Sequence, residues 1–166
     1  VSVPAAEIER VDGKFELVRG GRFLKASYNL PDGKKVGFYV KAVDADALAF
    51  LESQRESLIS LLNASELEIG LADYDSAKSG AAPSQLCRLG SIHLPLAGLI
   101  DVDAERAKLE KQKKELTGWI AGSKAKLSNE RFLAKAPEKV VAEARLHLAE
   151  MEEKLARTVE LLNALG

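Results

Sequence analysis

The side chains of this sequence best suited to proton transfer, nucleophilic attack or soft-metal ligation are His93, His147 and Cys87, since it holds two histidines and one cysteine. His147 lies at helical spacing from Glu143 and Glu150. Two carboxylates and an imidazole on one face are a donor set for a metal ion, but on a charged helix they are also a plain solvated face, and that is the reading preferred. His93 stands in an apolar strand-like run close to Pro95, where packing accounts for it. Cys87 has no histidine near it in sequence and reads as a small hydrophobe. A Cys87–His93 catalytic pair is the remotest reading. Gly20-Gly21 lacks the GxGxxG or GxxxxGK spacing of a phosphate loop. Asp101-Val-Asp103 has the look of a magnesium pair, yet capping of a helix explains it with less. No residues are assigned to catalysis or to a metal.

Basic residues carry a better signal. Lys108, Lys111, Lys113 and Lys114 crowd one segment. Lys124, Lys126, Arg131, Lys135 and Lys139 gather in the next, where Glu130 and Glu138 are the acids. Further on the chain turns acidic through Glu150, Glu152 and Glu153. A local basic cluster suits contact with a phosphate backbone without sequence reading; an ordinary solvated helix surface suits the same residues equally well. Trp119 and Phe132 have the faces to stack on an unpaired base, though packing between helices is the expectation for both.

Composition narrows the partners. The net charge of -1 rules out a global field toward nucleic acid or membrane, so any polyanion must be met by a local patch. A single cysteine excludes an internal disulfide framework and fits a reducing, cytoplasmic setting. No apolar run approaches the ~20 residues needed to span a bilayer, and the first residues lack a signal peptide's regions. Val1 in place of Met points to a cut or processed product.

The elements that would position these residues fall into two grammars meeting near Leu99. Residues 15–28 are ambiguous between strand and helix, because Gly20-Gly21 would cost a helix about 1 kcal/mol per glycine. Pro31-Asp-Gly33 is a turn. Residues 34–43 alternate as a strand through Val36, Phe38, Val40 and Ala42. Asp44 caps a helix over 45–62 with a stripe of Leu48, Leu51, Arg55, Leu58, Ile59 and Leu62. Residues 66–71 form a second strand, 75–84 a flexible loop, and 85–94 another strand. From about 103 to 127 a helix carries Leu109, Leu116, Ile120 and Leu127. After an interruption at 128–137, with Pro137 in the first turn of a new helix, Val141, Ala144, Leu148, Met151, Leu155, Thr158 and Leu162 alternate by three and four. The expected fold is therefore α+β: a small α/β module followed by a long antiparallel two-helix coiled-coil hairpin, rigid at its base and livelier at its tip.

Two stretches have a more specific look. Leu94-Pro-Leu-Ala-Gly-Leu-Ile-Asp-Val-Asp-Ala-Glu-Arg-Ala-Lys-Leu109 and Lys126-Leu-Ser-Asn-Glu-Arg-Phe-Leu-Ala-Lys-Ala-Pro-Glu-Lys-Val-Val141 closely resemble the carboxy-terminal end of the valyl-tRNA synthetase family, with its "LPL-G-ID" exit and "LSNxxFxxKAP" turn. Leu133-Ala134 departs slightly from the family's small apolar pair. Upstream, Leu24-Lys-Ala-Ser-Tyr-Asn-Leu-Pro31 resembles the junction after the anticodon-binding helices, and 34–71 the module beyond it. That likeness covers the chain from about Phe15 onward and tilts 15–28 toward helix. Residues 1–14 match nothing.

The resemblance implies three regions: 1–30, the end of an anticodon-binding region or linker; 31–100, a junction module; and 101–166, a tRNA-binding arm. It also implies that ATP and Mg are cofactors of the parent enzyme and not of this stretch, which lacks the HIGH-like and KMSKS-like motifs and the editing domain. In the family the arm lies against the tRNA corner where the D and T loops meet. Carried over, the candidate contacts are Lys124, Lys126, Arg131 and Lys135, with Lys139 beside them. The partner implied is valine tRNA, with no membrane and a monomeric chain. The rival is a protein-interaction or dimerisation arm, favoured by Gln112 and Ser123 near core positions of the first helix.

Overall fold

The computed structural model describes residues 2–165 and divides into two compact units, Val1–Ile100 and Asp101–Gly166. The class is α+β. Each unit has its own logic.

In the first, α1 (Ala5–Ser27) is followed by β1 (Val36–Ala42), α2 (Ala45–Ser53), α3 (Arg55–Leu62), β2 (Ala64–Gly70), the one-turn α4 (Ser76–Ser79), β3 (Ser84–Cys87) and β4 (Gly90–His93). The strands form one mixed sheet in the order β2-β1-β4-β3. β1 and β2 run parallel, joined by α2 and α3, while β4 is antiparallel to both β1 and β3. Phe38, Val40, Leu67 and Ile92 point to the helical side and are buried with Leu17, Leu24, Leu51, Leu58 and Leu62.

The ambiguous stretch 15–28 is helical, and the helix begins ten residues earlier than Phe15. Its glycines are where it touches the sheet. A Cβ on Gly20 would meet Ile92 Cγ2 at 3.3 Å, and one on Gly21 would meet Leu62 Cδ2 at 2.4 Å. Close approach to the sheet offsets the propensity cost. Lys25, 2% exposed, donates from Nζ to the carbonyls of Asp32 (3.1 Å) and Lys34 (2.7 Å), holding the turn that leads into β1.

Three expectations need correction. The helix over 45–62 is two helices, broken at Gln54 (φ -104°, ψ 9°), where Lys14 Nζ reaches across from α1 to Gln54 Oε1 (2.9 Å) and Ser57 Oγ (2.8 Å). The loop 75–84 contains α4, capped by Asp75. The strand over 85–94 is a hairpin whose turn is Arg88-Leu89. That turn carries no Asn-Gly signal; instead the Arg88 N–H donates to Glu16 Oε1 (2.8 Å) on α1. Gly90 opens β4 at φ 142°, with Lys41 O only 1.9 Å from where a Cβ would stand, so no other residue fits there.

The second unit is α5 (Val102–Leu127), the short α6 (Glu130–Lys135) and α7 (Glu138–Ala164). Asp101, the nearer of the two carboxylates considered, caps α5 through the Ala104 N–H. Pro137 is the residue before α7, one position ahead of its first turn. The long helices pack together in opposite directions. Arg106 donates to Leu165 O (3.2 Å) at one end, and Lys124 pairs with Glu152 (3.3 Å) toward the other. At 1.5 Å per residue each is about 40 Å long. Leu116, Ile120 and Met151 form a buried cluster, with Leu148 and Leu155 packed against it. Every seam residue expected on α7 is buried or half-buried, and Leu109 is buried on α5. Between 121 and 150, by contrast, no side chain is fully buried.

Among the described residues no helix is long and apolar enough to cross a membrane.

Candidate nucleic-acid interface

The far end of the second unit is built by caps, not by a core. Ser128 Oγ donates to Lys124 O (2.8 Å) as α5 ends. Asn129 then accepts from the N–H groups of Arg131 (3.0 Å) and Phe132 (3.4 Å), starting α6 one residue later. The Ala136 N–H bonds Phe132 O (2.8 Å), and Pro137, at φ -58° and ψ 147°, turns the chain into α7. Each capping side chain satisfies backbone groups that water would otherwise have to meet.

Around this scaffold stand the five expected bases, all exposed: Lys124 and Lys126 in the last turn of α5, Arg131 and Lys135 on α6, Lys139 in the first turn of α7. They are not equivalent. Lys124 is tied back to Glu152 on the shaft, so part of its charge is already answered. Lys126 Nζ lies over the Phe132 ring, 4.7 Å from its centre. Arg131, Lys135 and Lys139 form no ion pair among the described residues. Phe132 is half-buried. Trp119, expected between the helices, is instead 59% exposed, a correction that follows from its place on the flank of α5 while Leu116 and Ile120 take the seam.

The residues with catalytic potential are apart from one another and otherwise employed. Cys87 pairs in register with Gly90, and His93 with Ser84, so the two lie at opposite ends of the hairpin. Alternation along each strand also sets them on opposite faces. Burial pushes the Cys87 thiol above its ordinary value, away from thiolate. His93 shares a hydrogen bond of 2.9 Å between Nε2 and Ser91 Oγ, stacks on Tyr74 at 5.8 Å and leans on Tyr39 at 5.9 Å. Burial holds its imidazolium below the usual range. His147 is exposed, and among the described residues no group of three or more His, Cys, Asp or Glu is placed to hold a metal ion.

The geometry thus offers an exposed cationic turn at the end of a helical pair. Residues 101–166 match the family model described as the valyl tRNA synthetase tRNA binding arm, a span that coincides with the second unit. The chain is also similar over most of its length to curated valine–tRNA ligases. The protein from Lacticaseibacillus casei is 34% identical over 93% of this chain, that from Listeria innocua 33% over 90%, and that from Cereibacter sphaeroides 36% over 93%. This chain belongs to the valyl-tRNA synthetase family. It represents a carboxy-terminal region of that family and spans 17% of the length of the Listeria and Lacticaseibacillus relatives. In this chain the "LPL-G-ID" stretch is where the first unit closes. Leu94 and Leu96 are fully buried, and their N–H groups bond Pro83 O (2.9 Å) and Ala81 O (3.0 Å) before Asp101 caps the arm. Likewise, the Asn of the "LSNxxFxxKAP" turn is the α6 cap, and its Phe is the ring beneath Lys126.

Proposed function

We propose that this chain is the tRNA-binding carboxy-terminal region of a valine–tRNA ligase, and that its hairpin, a short antiparallel coiled coil, rests on the elbow of the tRNA. One observation carries the reading. The span matched by the arm family is a compact unit whose capped end, over residues 124–139, carries five bases against two acids. Arg131, Lys135 and Lys139 neutralise backbone phosphates directly, Lys126 does so from the Phe132 platform, and Lys124 contributes less because Glu152 already faces it. Contacts of this kind position an RNA by shape and charge without reading bases. Adenylation and transfer, with ATP and Mg, belong in this proposal to the parts of the longer ligases that this chain does not span, and the setting is the cytoplasm. The chain itself supplies affinity and orientation as a monomer.

The test is a titration of the chain with valine tRNA at about 50 and 200 mM salt, since log K falls by roughly 0.7–0.9 per phosphate contact for each decade of salt. Changing Arg131, Lys135 and Lys139 to Glu together is expected to flatten that slope by two to three contacts' worth. Binding that ignores both salt and these reversals would sink the elbow reading. A dimerisation arm is the second reading, favoured by the exposed Gln112 and by the lack of any fully buried side chain over 121–150. A mass that doubles with concentration in light scattering, without RNA, would put it first.

A further inference from the structure

The indole of Trp119 stands open on the flank of the arm, although the buried positions of Leu116 and Ile120 lie within a turn of it. Beside it runs a groove between the two helices, rimmed by Gln112, Glu115, Lys154, Arg157 and Leu161. Arg157 is steadied by Glu153 at 3.4 Å, and Lys154 forms no ion pair among the described residues. On the outer side of the same helix, Gly118 and Gly122 bracket the tryptophan, and a Cβ at either would meet nothing within 4 Å. Contact with the sheet offsets the cost of the α1 glycines; among the described residues nothing offsets that of these two, about 1 kcal/mol each. Lys126 lies two helical turns beyond Trp119 on the same flank, about 10 Å along the axis.

We propose that Trp119 is a stacking platform for an unpaired nucleobase of the RNA held by the arm, with Lys154 and Arg157 receiving the adjoining phosphate and the bare backbone at Gly118 and Gly122 admitting the sugar. This rests on the tRNA reading of the arm and adds a site on its flank. Chemistry favours RNA over a second protein surface. A protein interface needs a contiguous apolar patch around its aromatic anchor. Here the indole is the one large apolar side chain of the groove that is exposed: Leu116 beside it is buried, Leu161 is half-buried, and Val140 and Leu146, also exposed on the arm, do not line this groove. An exposed ring with Lys154 and Arg157 on its rim, against the single carboxylate of Glu115, offers base stacking together with a phosphate contact, and such stacking tolerates any base.

The chain contains one tryptophan, so its emission reports this site alone. The experiment titrates the full chain with valine tRNA and, separately, with an unstructured single-stranded RNA oligonucleotide at about 50 mM salt. RNA binding is followed independently by the anisotropy of labelled RNA. Saturable quenching at the affinity found by anisotropy is expected for both. Trp119→Ala should weaken binding about tenfold and Trp119→Phe by less, with the salt slope unchanged because no charge is lost. Unchanged helicity by circular dichroism confirms that the exposed position tolerates the change. Unaltered emission at saturating RNA, or wild-type affinity in Trp119→Ala, overturns the platform while leaving the tip contacts standing. Conversely, quenching that persists while tip reversals leave affinity and salt slope untouched overturns the elbow reading and supports the platform. A blue shift that grows with protein concentration in the absence of RNA assigns the groove to a second copy and overturns the proposal. So does the absence of quenching by either RNA up to millimolar nucleotide.

Discussion

Lys126 and Phe132 are joined across the end of the arm, the ammonium 4.7 Å from the ring centre, so the last turn of α5 is tied to α6 by a cation–π contact where no enclosed core exists to do it. Exposed contacts of this kind contribute about 0.5–1 kcal/mol, comparable to one cap. Phe132→Leu keeps apolar bulk and removes the ring's charge attraction. Amide exchange at Ala136, whose N–H bonds Phe132 O, is expected to speed up severalfold, with the melting of the first unit unchanged. Asn129→Ala should do the same at Arg131 and Phe132, the two amides its side chain receives, at a cost of about 1 kcal/mol. Unaltered exchange in both variants would mean that the turn is held by something other than these contacts.

Glycines in the two units should respond with opposite signs to the same substitution. Gly21→Ala puts a methyl 2.4 Å from Leu62 Cδ2 and 3.0 Å from Ile92 Cδ1. Overpacking of this sort costs about 1–3 kcal/mol. Gly118→Ala and Gly122→Ala meet nothing and gain helix propensity, about 1 kcal/mol each. All three tyrosines (Tyr28, Tyr39, Tyr74) lie in the first unit and the one tryptophan lies in the arm, so urea unfolding followed by each fluorophore reads the two units separately. A tyrosine-monitored midpoint that does not fall in Gly21→Ala would contradict the tight helix–sheet contact.

Much of this was legible in the chain because local patterns are short-range. The α7 seam, Val141 to Leu162, reads directly as alternating threes and fours, and each of its members is shielded. Asp44 and Asp101 announce their helices and do cap them. What could not be read depends on partners distant in sequence. The Arg88-Leu89 turn has no turn residue of its own; it is held by Glu16, 72 residues away. The α1 glycines look like helix breakers until Leu62 and Ile92 arrive opposite them. At the candidate interface, the basic cluster was visible as charge, but the ties of Lys124 to Glu152 and of Lys126 to Phe132 were not. For Trp119 a signal did exist: flanking glycines and a place beside, not on, the Leu116/Ile120 stripe.

Lys25 is a buried ammonium serving two backbone carbonyls, at Asp32 and Lys34. Asp32 O also receives the Asn63 amide at 2.9 Å, so it keeps a donor when the lysine is lost, and Lys34 O is the group left exposed to the cost. Lys25→Met preserves the stem and removes the donors. Losing the hydrogen bonds of a charged donor costs about 1.5–3 kcal/mol, which should lower the tyrosine-reported midpoint and leave the tryptophan-reported one in place. A variant as stable as the wild type would show that the turn before β1 does not depend on this ammonium.

Acid should weaken the first unit in two separate steps. His93 is held neutral by burial, with Lys41 adding to the effect and Asp73 opposing it; Tyr39, Tyr74 and Ser91 are its uncharged neighbours. Its folded pKa lies below the ordinary 6.5, so the unfolded chain takes up the proton first. Stability is therefore whole above about 6.5 and declines as pH falls from there until the folded imidazole also protonates. Glu16 shifts in the same direction for a different reason: the Arg88 N–H holds its carboxyl below the ordinary 4.5 against the penalty of burial, with the Arg88 guanidinium adding to the effect. Its contribution is complete above about 4.5 and is lost as pH drops through the folded value. Urea unfolding followed by tyrosine emission from pH 8 to 3 should show both declines. His93→Gln is expected to flatten the curve between about pH 7 and 5 while keeping the lower step, and Glu16→Gln the reverse. If His93→Gln leaves the slope between pH 7 and 5 as steep as in the wild type, burial of the imidazole is not what makes the first unit sensitive to mild acid.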